Sequence, residues 1–323
     1  MARKVLITDY QWPDLEIEKH ILGEIGAELV VAPDGQEETL VRLAAGCEGI
    51  LTCWAKTTQR VIEAALPSLG VIVRYGIGLD NIDVNFATQR HIPVVNVPTY
   101  CVVDVAEHTL GFILALSRKI AFFDRRVRQG TWSIKEALPL RRLTGKRLGL
   151  VGLGNIGREV ARRALAFELE VCAYTPRLTP ERAKEVGVTP LSFEELLATS
   201  DFISLHLPLT PQSAGLIGAA QLRQMKSTAF LINTSRGKLI DEEALYQALT
   251  GGVIAGAALD VRIQEPAEPA DRLLQLDNIL HTPHASFFSR ESIEELQEQS
   301  AWEVRRVLSG QAPLNLVNPG YRS

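Results

Sequence analysis

The chain has 323 residues, of which 46% are hydrophobic and 22% are charged, and its formal net charge is −4. This length exceeds what one hydrophobic core ordinarily holds and predicts two domains, while the slightly acidic balance provides no basic surface for nucleic acid or anionic lipid. No stretch approaches the roughly 20 apolar residues of a membrane span, and the apolar run near Met1 is too short for a signal peptide, so we expect a soluble cytoplasmic protein.

The first hundred residues alternate short apolar runs with amphipathic helical patterns, which is typical of βαβ units around a parallel sheet. Strands are predicted at Val5–Thr8, Leu29–Ala32, Gly49–Thr52, Val71–Arg74 and Val94–Asn96, and helices at Ile17–Ile25, Leu40–Ala45 and Arg60–Ala65. The stretch Val102–Arg128 then contains no proline and is rich in helix formers, so it predicts one long helix between the two domains.

A glycine motif follows this helix, in the middle of the chain. Leu148–Val151 is an apolar run typical of a buried strand, and a helical pattern begins near Ile156. The G-x-G-x-x-G between them consists of Gly152, Gly154 and Gly157. These glycines allow a tight turn, close approach of the backbone to a pyrophosphate and close packing of the helix, whose first amides would bind the phosphates. The flanking strand and helix favour dinucleotide binding over a glycine-rich packing turn.

A second series of βαβ units extends from the glycine motif. Further strands are predicted at Glu170–Tyr174, Phe202–His206, Ala229–Asn233, Ile254–Leu259 and Asn278–His281, and helices at Glu181–Glu185, Phe193–Ala198, Ala219–Met225, Glu242–Ala248 and Ser292–Leu308. The predicted fold class is α/β, with two Rossmann-like lobes that have parallel sheets and a cleft between them. We expect a flavodoxin-like substrate domain, residues 1–101 and 289–323, and an NAD(P)-binding Rossmann domain, residues 102–288.

The four cysteines lack the spacing of a zinc site or of a disulfide framework, so neither a metal site nor a disulfide is predicted. They are Cys47, Cys53, Cys101 and Cys172.

Polar clusters follow three successive strands of the second sheet, at the edge where ligands of open parallel sheets bind. A hydride transfer to a carbonyl needs a cation for an anionic substrate, a general acid, and a partner that keeps this acid protonated. Arg236, His284 and Glu265 suit these roles in that order. Taken singly, each has an ordinary alternative: a strand-end cap, a hydrogen-bonded core histidine and a loop charge. Their combination downstream of a dinucleotide motif favours the catalytic interpretation.

Several motifs along the chain combine in a pattern that is specific to one enzyme family. They are Val73-Arg-Tyr-Gly-Ile-Gly-Leu-Asp-Asn-Ile-Asp83, Ala106-Glu-His-Thr109, Val151-Gly-Leu-Gly-Asn-Ile-Gly157, His206-Leu-Pro-Leu-Thr210, Asn233-Thr-Ser-Arg-Gly237, Ala258-Leu-Asp-Val261, Glu265-Pro266 and Thr282-Pro-His-Ala285. With them the chain resembles the D-2-hydroxyacid dehydrogenases essentially from end to end. It looks most like the branch of the C-terminal-binding proteins and the phosphoglycerate dehydrogenases.

The resemblance implies an NAD(P)-dependent oxidoreductase that interconverts a small anionic 2-oxo acid and a D-2-hydroxy acid, and a homodimer built on the cofactor lobe. The family's catalytic arginine, glutamate and histidine match Arg236, Glu265 and His284, the histidine being the general acid/base. Gly76 and Ile77 match the loop whose amides hold the substrate carboxylate, and Arg74 matches a substrate-binding arginine of some members. Arg262 departs from the family, which more often has an aromatic residue there.

The implied cofactor contacts lie at the ends of successive strands of the second sheet. They are Gly152, Gly154, Asn155, Ile156, Gly157, Thr175, Arg177, His206, Leu207, Pro208, Thr234, Ser235, Arg236, Asp260 and His284, of which Asp260 matches the aspartate that contacts the nicotinamide carboxamide. An acidic residue is expected about 20 residues past the motif to bind the ribose of NAD, but Thr175 is found there. Arg177 is suited to pair with a 2′-phosphate unless it is a solvated loop charge, so NADP(H) is favoured over NAD(H).

The substrate's side chain stays open. Phe287 follows His284 closely and would favour an apolar tail, although packing between the lobes explains such an aromatic equally well. Arg74 together with Arg236 would suit a phosphorylated or phosphonate acid as readily as a simple one. The alternative function is a dinucleotide-sensing, corepressor-like scaffold with little turnover, because relatives of that kind also keep the triad.

Overall fold

The computed structural model describes residues 3–137, 140–176 and 178–322. It divides into a first unit, Met1–Cys101 with Phe288–Ser323, and a second unit, Val102–Phe287. Each unit has its own sheet, and all strand pairs described in the two sheets are parallel. The fold is therefore α/β with two Rossmann-like sheets, as predicted.

The first unit has a five-stranded sheet in the order β2-β1-β3-β4-β5. Its elements are β1 (Arg3–Ile7), α1 (Glu16–Gly23), β2 (Ala27–Val31), α2 (Glu37–Ala44), β3 (Gly49–Thr52), α3 (Gln59–Ala65), β4 (Val71–Arg74), α4 (Val84–Gln89), β5 (Val94–Val95) and, from the end of the chain, α12 (Arg290–Leu308). Every residue of β3 and β4 is buried, as expected for central strands of a parallel sheet that is covered on both faces.

The second unit has a seven-stranded sheet in the order β12-β11-β10-β9-β6-β7-β8. Its elements are α5 (Val102–Arg118), α6 (Ile120–Arg128), β6 (Arg147–Val151), α7 (Asn155–Ala166), β7 (Glu170–Tyr174), α8 (Pro180–Val186), β8 (Thr189–Pro190), α9 (Phe193–Thr199), β9 (Phe202–Leu205), α10 (Ala219–Gln224), β10 (Phe230–Asn233), α11 (Glu242–Thr250), β11 (Gly256–Leu259) and β12 (Ile279–His281). From β6 the chain first builds β7 and β8 on one side and then β9 to β12 on the other. The carboxyl ends of β6 and β9 therefore form a topological switch point, where ligands of such sheets bind.

Two predictions about helices need correction. The single helix expected over Val102–Arg128 is wrong, because Lys119 adopts a left-handed conformation with φ of 52° and separates α5 from α6. None of the residues of α6 is buried, so no packed apolar stripe continues from α5. The sequence analysis also missed α4, whose first turn is capped by the Asp83 side chain accepting from the Phe86 amide at 2.9 Å. Among the described residues, no helix combines the length and the apolarity needed to cross a bilayer.

Candidate active site

The glycine motif forms the turn between β6 and α7, at the switch point of the second sheet. Gly152 has a φ of +103°, a conformation that side chains with a Cβ rarely adopt. A Cβ at Gly152 would lie 2.1 Å from the carbonyl oxygen of His206, and a Cβ at Gly157 would lie 2.5 Å from that of Gly152. A Cβ at Gly154 would instead meet open space. The first and third glycines thus permit close packing of the turn, and the second leaves its outer side accessible to a ligand.

The amino-terminal turn of α7 begins at Asn155, directly after Gly154. The Ile156 side chain is partly buried against the hydrophobic core, which fixes this turn to the sheet. The first amides of a helix have no partner within the helix, and they carry a partial positive charge. The arrangement suits the binding of an anion such as a phosphate.

His206 follows β9 on the opposite side of the switch point. Its Nε2 lies 2.8 Å from the Ser204 hydroxyl, while its buried Nδ1 has no hydrogen-bond partner among the described residues. Burial lowers the pKa of this imidazole to about 4, so the ring is neutral near physiological pH. His206 therefore offers a neutral polar atom beside the glycine turn.

Further predicted cofactor contacts lie at the ends of β9 and β10. Leu207 packs on the hydrophobic core, and the Pro208 carbonyl accepts from the Ser213 hydroxyl at 2.8 Å. The Ser235 hydroxyl donates to the Leu205 carbonyl at 2.6 Å, and the buried Thr234 contacts Thr109 of α5. The Ser235 bond ties the end of β10 to the end of β9, and the Thr234 contact ties the end of β10 to α5.

The end of β7 carries the residues on which the choice of cofactor was predicted to depend. Thr175 follows the strand directly and is half-buried. Arg177 lies outside the described residues. Of these two predicted cofactor residues, the structure therefore describes Thr175 alone.

Glu265 and His284 are brought together from the loops that follow β11 and β12. Oε2 of Glu265 lies 2.7 Å from Nδ1 of His284, and Oε1 accepts from the Arg262 amide at 2.7 Å. Burial raises the pKa of the Glu265 carboxyl, but the bond to His284, its charge and the amide bond together bring the pKa below its ordinary value. Glu265 is therefore an anion whose carboxylate orients the His284 ring. With Nδ1 engaged by Glu265, Nε2 is the ring nitrogen suited to proton transfer.

The loop that carries His284 is held by Asp260, at the end of β11. The fully buried Asp260 carboxylate accepts from the Thr282 hydroxyl at 2.5 Å and from the amides of Ala285 and Ser286 at 2.8 and 3.0 Å. Its carbonyl accepts from the His284 amide at 2.8 Å. His284 itself has a φ of 53°, which is costly for a residue with a Cβ and persists only where its surroundings enforce it. The surroundings that do so here are the bonds to Asp260.

Sequence reasoning missed the position of His108, which lies next to this loop. His108 of α5 lies 3.0 Å from the Thr282 hydroxyl and 3.9 Å from Asp260. Burial lowers the pKa of His108, although Asp260 opposes the shift. Ala106-Glu-His-Thr109 was noticed only as a family motif, because α5 precedes Thr282 by more than 160 residues in the chain.

Arg236 follows β10, the strand next to β11. Its Nη1 donates to the Ser235 carbonyl at 2.7 Å, and its own carbonyl accepts from Asn233 Nδ2 at 2.8 Å. A Cβ on the following Gly237 would lie 2.0 Å from the carbonyl carbon of Arg262. The loop that carries Arg236 thus packs directly on the loop that leads to Glu265.

In the first unit, the predicted substrate residues follow β4. Arg74 is buried, its guanidinium carbon lies 5.6 Å from the centre of the Trp54 ring, and its Nε has no hydrogen-bond partner among the described residues. The Gly76 amide donates to the Arg74 carbonyl at 2.9 Å, and the Ile77 carbonyl accepts from Asn96 at 2.8 Å. Hydrogen bonds within the loop and from Asn96 hold its backbone, and the Arg74 guanidinium is buried beside it.

Comparison with known proteins places this arrangement in a family. Residues 110–286 match the D-isomer specific 2-hydroxyacid dehydrogenase NAD-binding domain. The D-3-phosphoglycerate dehydrogenase of Archaeoglobus fulgidus is 41% identical over 294 residues, which cover 91% of this chain and 55% of that protein. The chain belongs to the D-isomer specific 2-hydroxyacid dehydrogenase family. It spans about half the length of this phosphoglycerate dehydrogenase.

Other members of the family are covered more completely. The glyoxylate reductase of Korarchaeum cryptofilum is 39% identical over 286 residues, which cover 87% of this chain and 86% of that protein. The D-lactate dehydrogenase of Aquifex aeolicus, solved with NAD and lactic acid, has a TM-score of 0.88 and 29% identity over 98% of this chain and 99% of its own. The segment that matches the family's NAD-binding domain lies within the second unit, which contains the glycine turn.

Proposed function

We propose that the protein is an NAD(P)-dependent reductase of 2-oxo acids that forms D-2-hydroxy acids. The observation that carries the proposal is the 2.7 Å contact between Glu265 and His284, held by strands of the same sheet that carries the glycine turn. Family membership supports the reaction class. The glycine turn supports the cofactor, since Gly152 and Gly157 allow the turn to pack closely and Gly154 faces open space beside the α7 amides.

In the proposed mechanism, each residue has a separate task. The Arg236 guanidinium binds the substrate carboxylate and polarises the neighbouring carbonyl group, while Arg74 and the amides of Gly76 and Ile77 contribute to substrate binding. When bound, the reduced nicotinamide supplies the hydride that adds to C2. His284 transfers its Nε2 proton to the carbonyl oxygen as the electron pair of the C=O bond moves there. Glu265 stabilises the imidazolium before the transfer and orients the ring throughout.

The glycine turn and α7 would hold the pyrophosphate. The Gly152–Gly157 segment, with Asn155 and Ile156, would supply backbone amides to the phosphate groups. His206, Leu207, Pro208, Thr234 and Ser235 would line the same edge of the sheet. Asp260 contributes by holding the His284 loop, because its two carboxylate oxygens already accept bonds from that loop.

The test is the oxidation of NADPH and NADH, measured in parallel with a panel of 2-oxo acids. The panel contains glyoxylate, hydroxypyruvate, phosphohydroxypyruvate, phosphonopyruvate, and branched and aromatic 2-oxo acids. Turnover of one of them would support the proposal and name the substrate class. Binding of cofactor without any turnover would contradict it and would favour the dinucleotide-sensing scaffold instead.

We propose that NADPH is the preferred cofactor, and Thr175 provides the test. Replacing Thr175 by aspartate is expected to change the ratio of kcat/KM for NADPH to that for NADH by about 10- to 100-fold in favour of NADH. The introduced carboxylate would accept from the ribose hydroxyls of NAD and would repel a 2′-phosphate, and a charged hydrogen bond contributes about 1.5–3 kcal/mol. The same substitution at Thr250, exposed at the end of α11, adds an equal charge elsewhere and serves as the control. An unchanged ratio in Thr175→Asp would contradict this assignment.

We further propose a homodimer formed through the second unit. Four large apolar side chains are exposed close together along the chain, in and after α6, and exposed apolar surface of this kind marks interaction sites. They are Ile120, Val127, Trp132 and Ile134, with exposed fractions of 55%, 46%, 90% and 70%. Sedimentation should give twice the 35.5 kDa mass of the chain. Replacing Trp132 by arginine should shift the species toward monomer, whereas a monomeric unaltered protein would contradict the proposal.

A further inference from the structure

Arg262 is buried in the second unit among acidic side chains. Its Nε and Nη2 donate to the two Glu242 oxygens at 2.9 and 3.0 Å, and Nη2 also donates to Asp271 at 2.6 Å. The Arg262 side chain is only 7% exposed. We call these three residues the Arg262 cluster. It joins the segment after β11, the first turn of α11 and the residue that caps the short helical turn Arg272–Gln275.

The backbone of the same segment contacts Glu265. The Arg262 amide donates to Oε1 of Glu265 at 2.7 Å, and the next amide, that of Ile263, donates to Glu242 at 2.9 Å. Glu265 is thus held between the Arg262 amide on one oxygen and His284 on the other. The backbone of Arg262 and Ile263 also lies against Gly237, next to Arg236.

We propose that Arg262 is a positioning residue, whose buried guanidinium fixes the backbone amide that orients Glu265 and, through it, the His284 imidazole. The expected changes in kcat rest on the proposed function. The expected changes in the contacts of Glu265 do not depend on turnover. An aromatic residue, which the family resemblance leads us to expect here, has at most one hydrogen-bond donor and cannot bridge two carboxylates. Only a guanidinium binds Glu242 through two parallel bonds and still reaches Asp271.

Several charged groups surround the Arg262 cluster, and they determine how a substitution of Arg262 changes the local electrostatics. His281 of β12 lies near enough to Arg262 and Asp271 to feel both charges, and Asp260 and His284 are the charged neighbours of Glu265. Removing the guanidinium leaves the Glu242 and Asp271 carboxylates without their cation, so they repel each other and the segment shifts. Glu265 then loses its amide bond, and because that bond lowers the pKa of Glu265, the pKa rises.

The kinetic test compares unaltered protein with Arg262→Met, Arg262→Lys and Arg272→Met. The last is the matched control, because Arg272 lies beside Asp271 but makes its ion pair with Glu243 on the surface. We expect kcat to fall about 10- to 100-fold in Arg262→Met, because small displacements of catalytic groups have effects of this size. The smaller loss expected in Arg262→Lys is about 3- to 10-fold, since the ammonium keeps the charge but lacks the paired geometry. Arg272→Met should stay within two-fold.

The pH profile separates positioning from a general loss of structure. Glu265 acts as an anion, so activity is present above its pKa and is lost as the pH falls through it. A raised pKa in Arg262→Met moves the acid limb of the kcat profile to higher pH, whereas cofactor affinity, set at the glycine turn, should change less than two-fold. A folded Arg262→Met protein with unaltered kcat and acid limb would overturn the proposal. Should that variant not fold, Arg262→Lys with unaltered kcat and acid limb would overturn it equally.

Crystal structures of the unaltered protein and of Arg262→Lys provide a readout that needs no substrate. Lengthening of the contacts from Glu265 to the Arg262 amide and to His284 supports the proposal, and retention of both contradicts it. If the contacts lengthen but no 2-oxo acid is reduced by the unaltered protein, the proposed function fails while the positioning role stands.

Discussion

Replacement of His284 by alanine is expected to lower kcat by about 10²- to 10⁴-fold, the range that general acid catalysis contributes. The imidazole is the group suited to give a proton to the carbonyl oxygen, and Glu265 orients the ring through its 2.7 Å contact with Nδ1. Without it, water must protonate the developing alkoxide. The measurement is steady-state oxidation of the reduced cofactor at saturating concentrations of both substrates.

The control for this variant is cofactor affinity. The glycine turn lies at the end of β6, and His284 lies beyond β12 at the edge of the sheet, so the dissociation constant of the cofactor should change by only a few-fold. His20→Ala removes another imidazole, one that is exposed on α1 in the first unit, and should leave kcat unaltered. A His284→Ala protein with near-normal kcat would exclude His284 as the proton donor.

Local patterns predicted most of the strands and the position of the candidate site. Val71–Arg74 and Glu170–Tyr174 are strands with the predicted bounds, because short apolar runs bounded by turn residues have few alternatives in an α/β chain. Since the carboxyl ends of parallel strands lie at one edge, Arg236, Glu265 and His284 were expected near each other. The structure brings Glu265 and His284 into contact and places Arg236 on a loop that packs against the segment leading to Glu265.

The contacts that order the site depend on long-range packing and were not predictable. Lys119 carries no sequence signal for a left-handed conformation, so the break between α5 and α6 was missed. Arg262 was noticed only as a departure from the family, because its partners Glu242 and Asp271 lie 20 and 9 residues away and become neighbours only in the folded sheet. The resemblance assigned Asp260 to the nicotinamide, and its bonds to Thr282, Ala285 and Ser286 appear only in three dimensions.

Gly152→Ala is expected to destabilise the second unit and to abolish tight cofactor binding. The new methyl group would lie 2.1 Å from the His206 carbonyl oxygen, which belongs to the backbone and cannot rotate away. Overpacking of this kind costs about 1–3 kcal/mol. The positive φ of +103° adds strain on the order of 1–2 kcal/mol for a residue with a Cβ. Thermal or denaturant unfolding should show the loss directly, with and without cofactor.

Gly154→Ala is the matched variant, since it adds the same methyl group two residues away. Its Cβ would meet open space, and φ at this position is −77°, so the folded protein should keep its stability. If a pyrophosphate binds against this turn, however, the methyl group occupies the space that the phosphates need, and cofactor affinity should fall by about 10- to 100-fold, the equivalent of one charged hydrogen bond. A stable Gly154→Ala protein with unaltered cofactor affinity would show that the dinucleotide binds elsewhere. This conclusion would not depend on the result for Gly152→Ala, because a methyl group at Gly152 disturbs the fold itself, whereas one at Gly154 affects only a ligand bound at the turn.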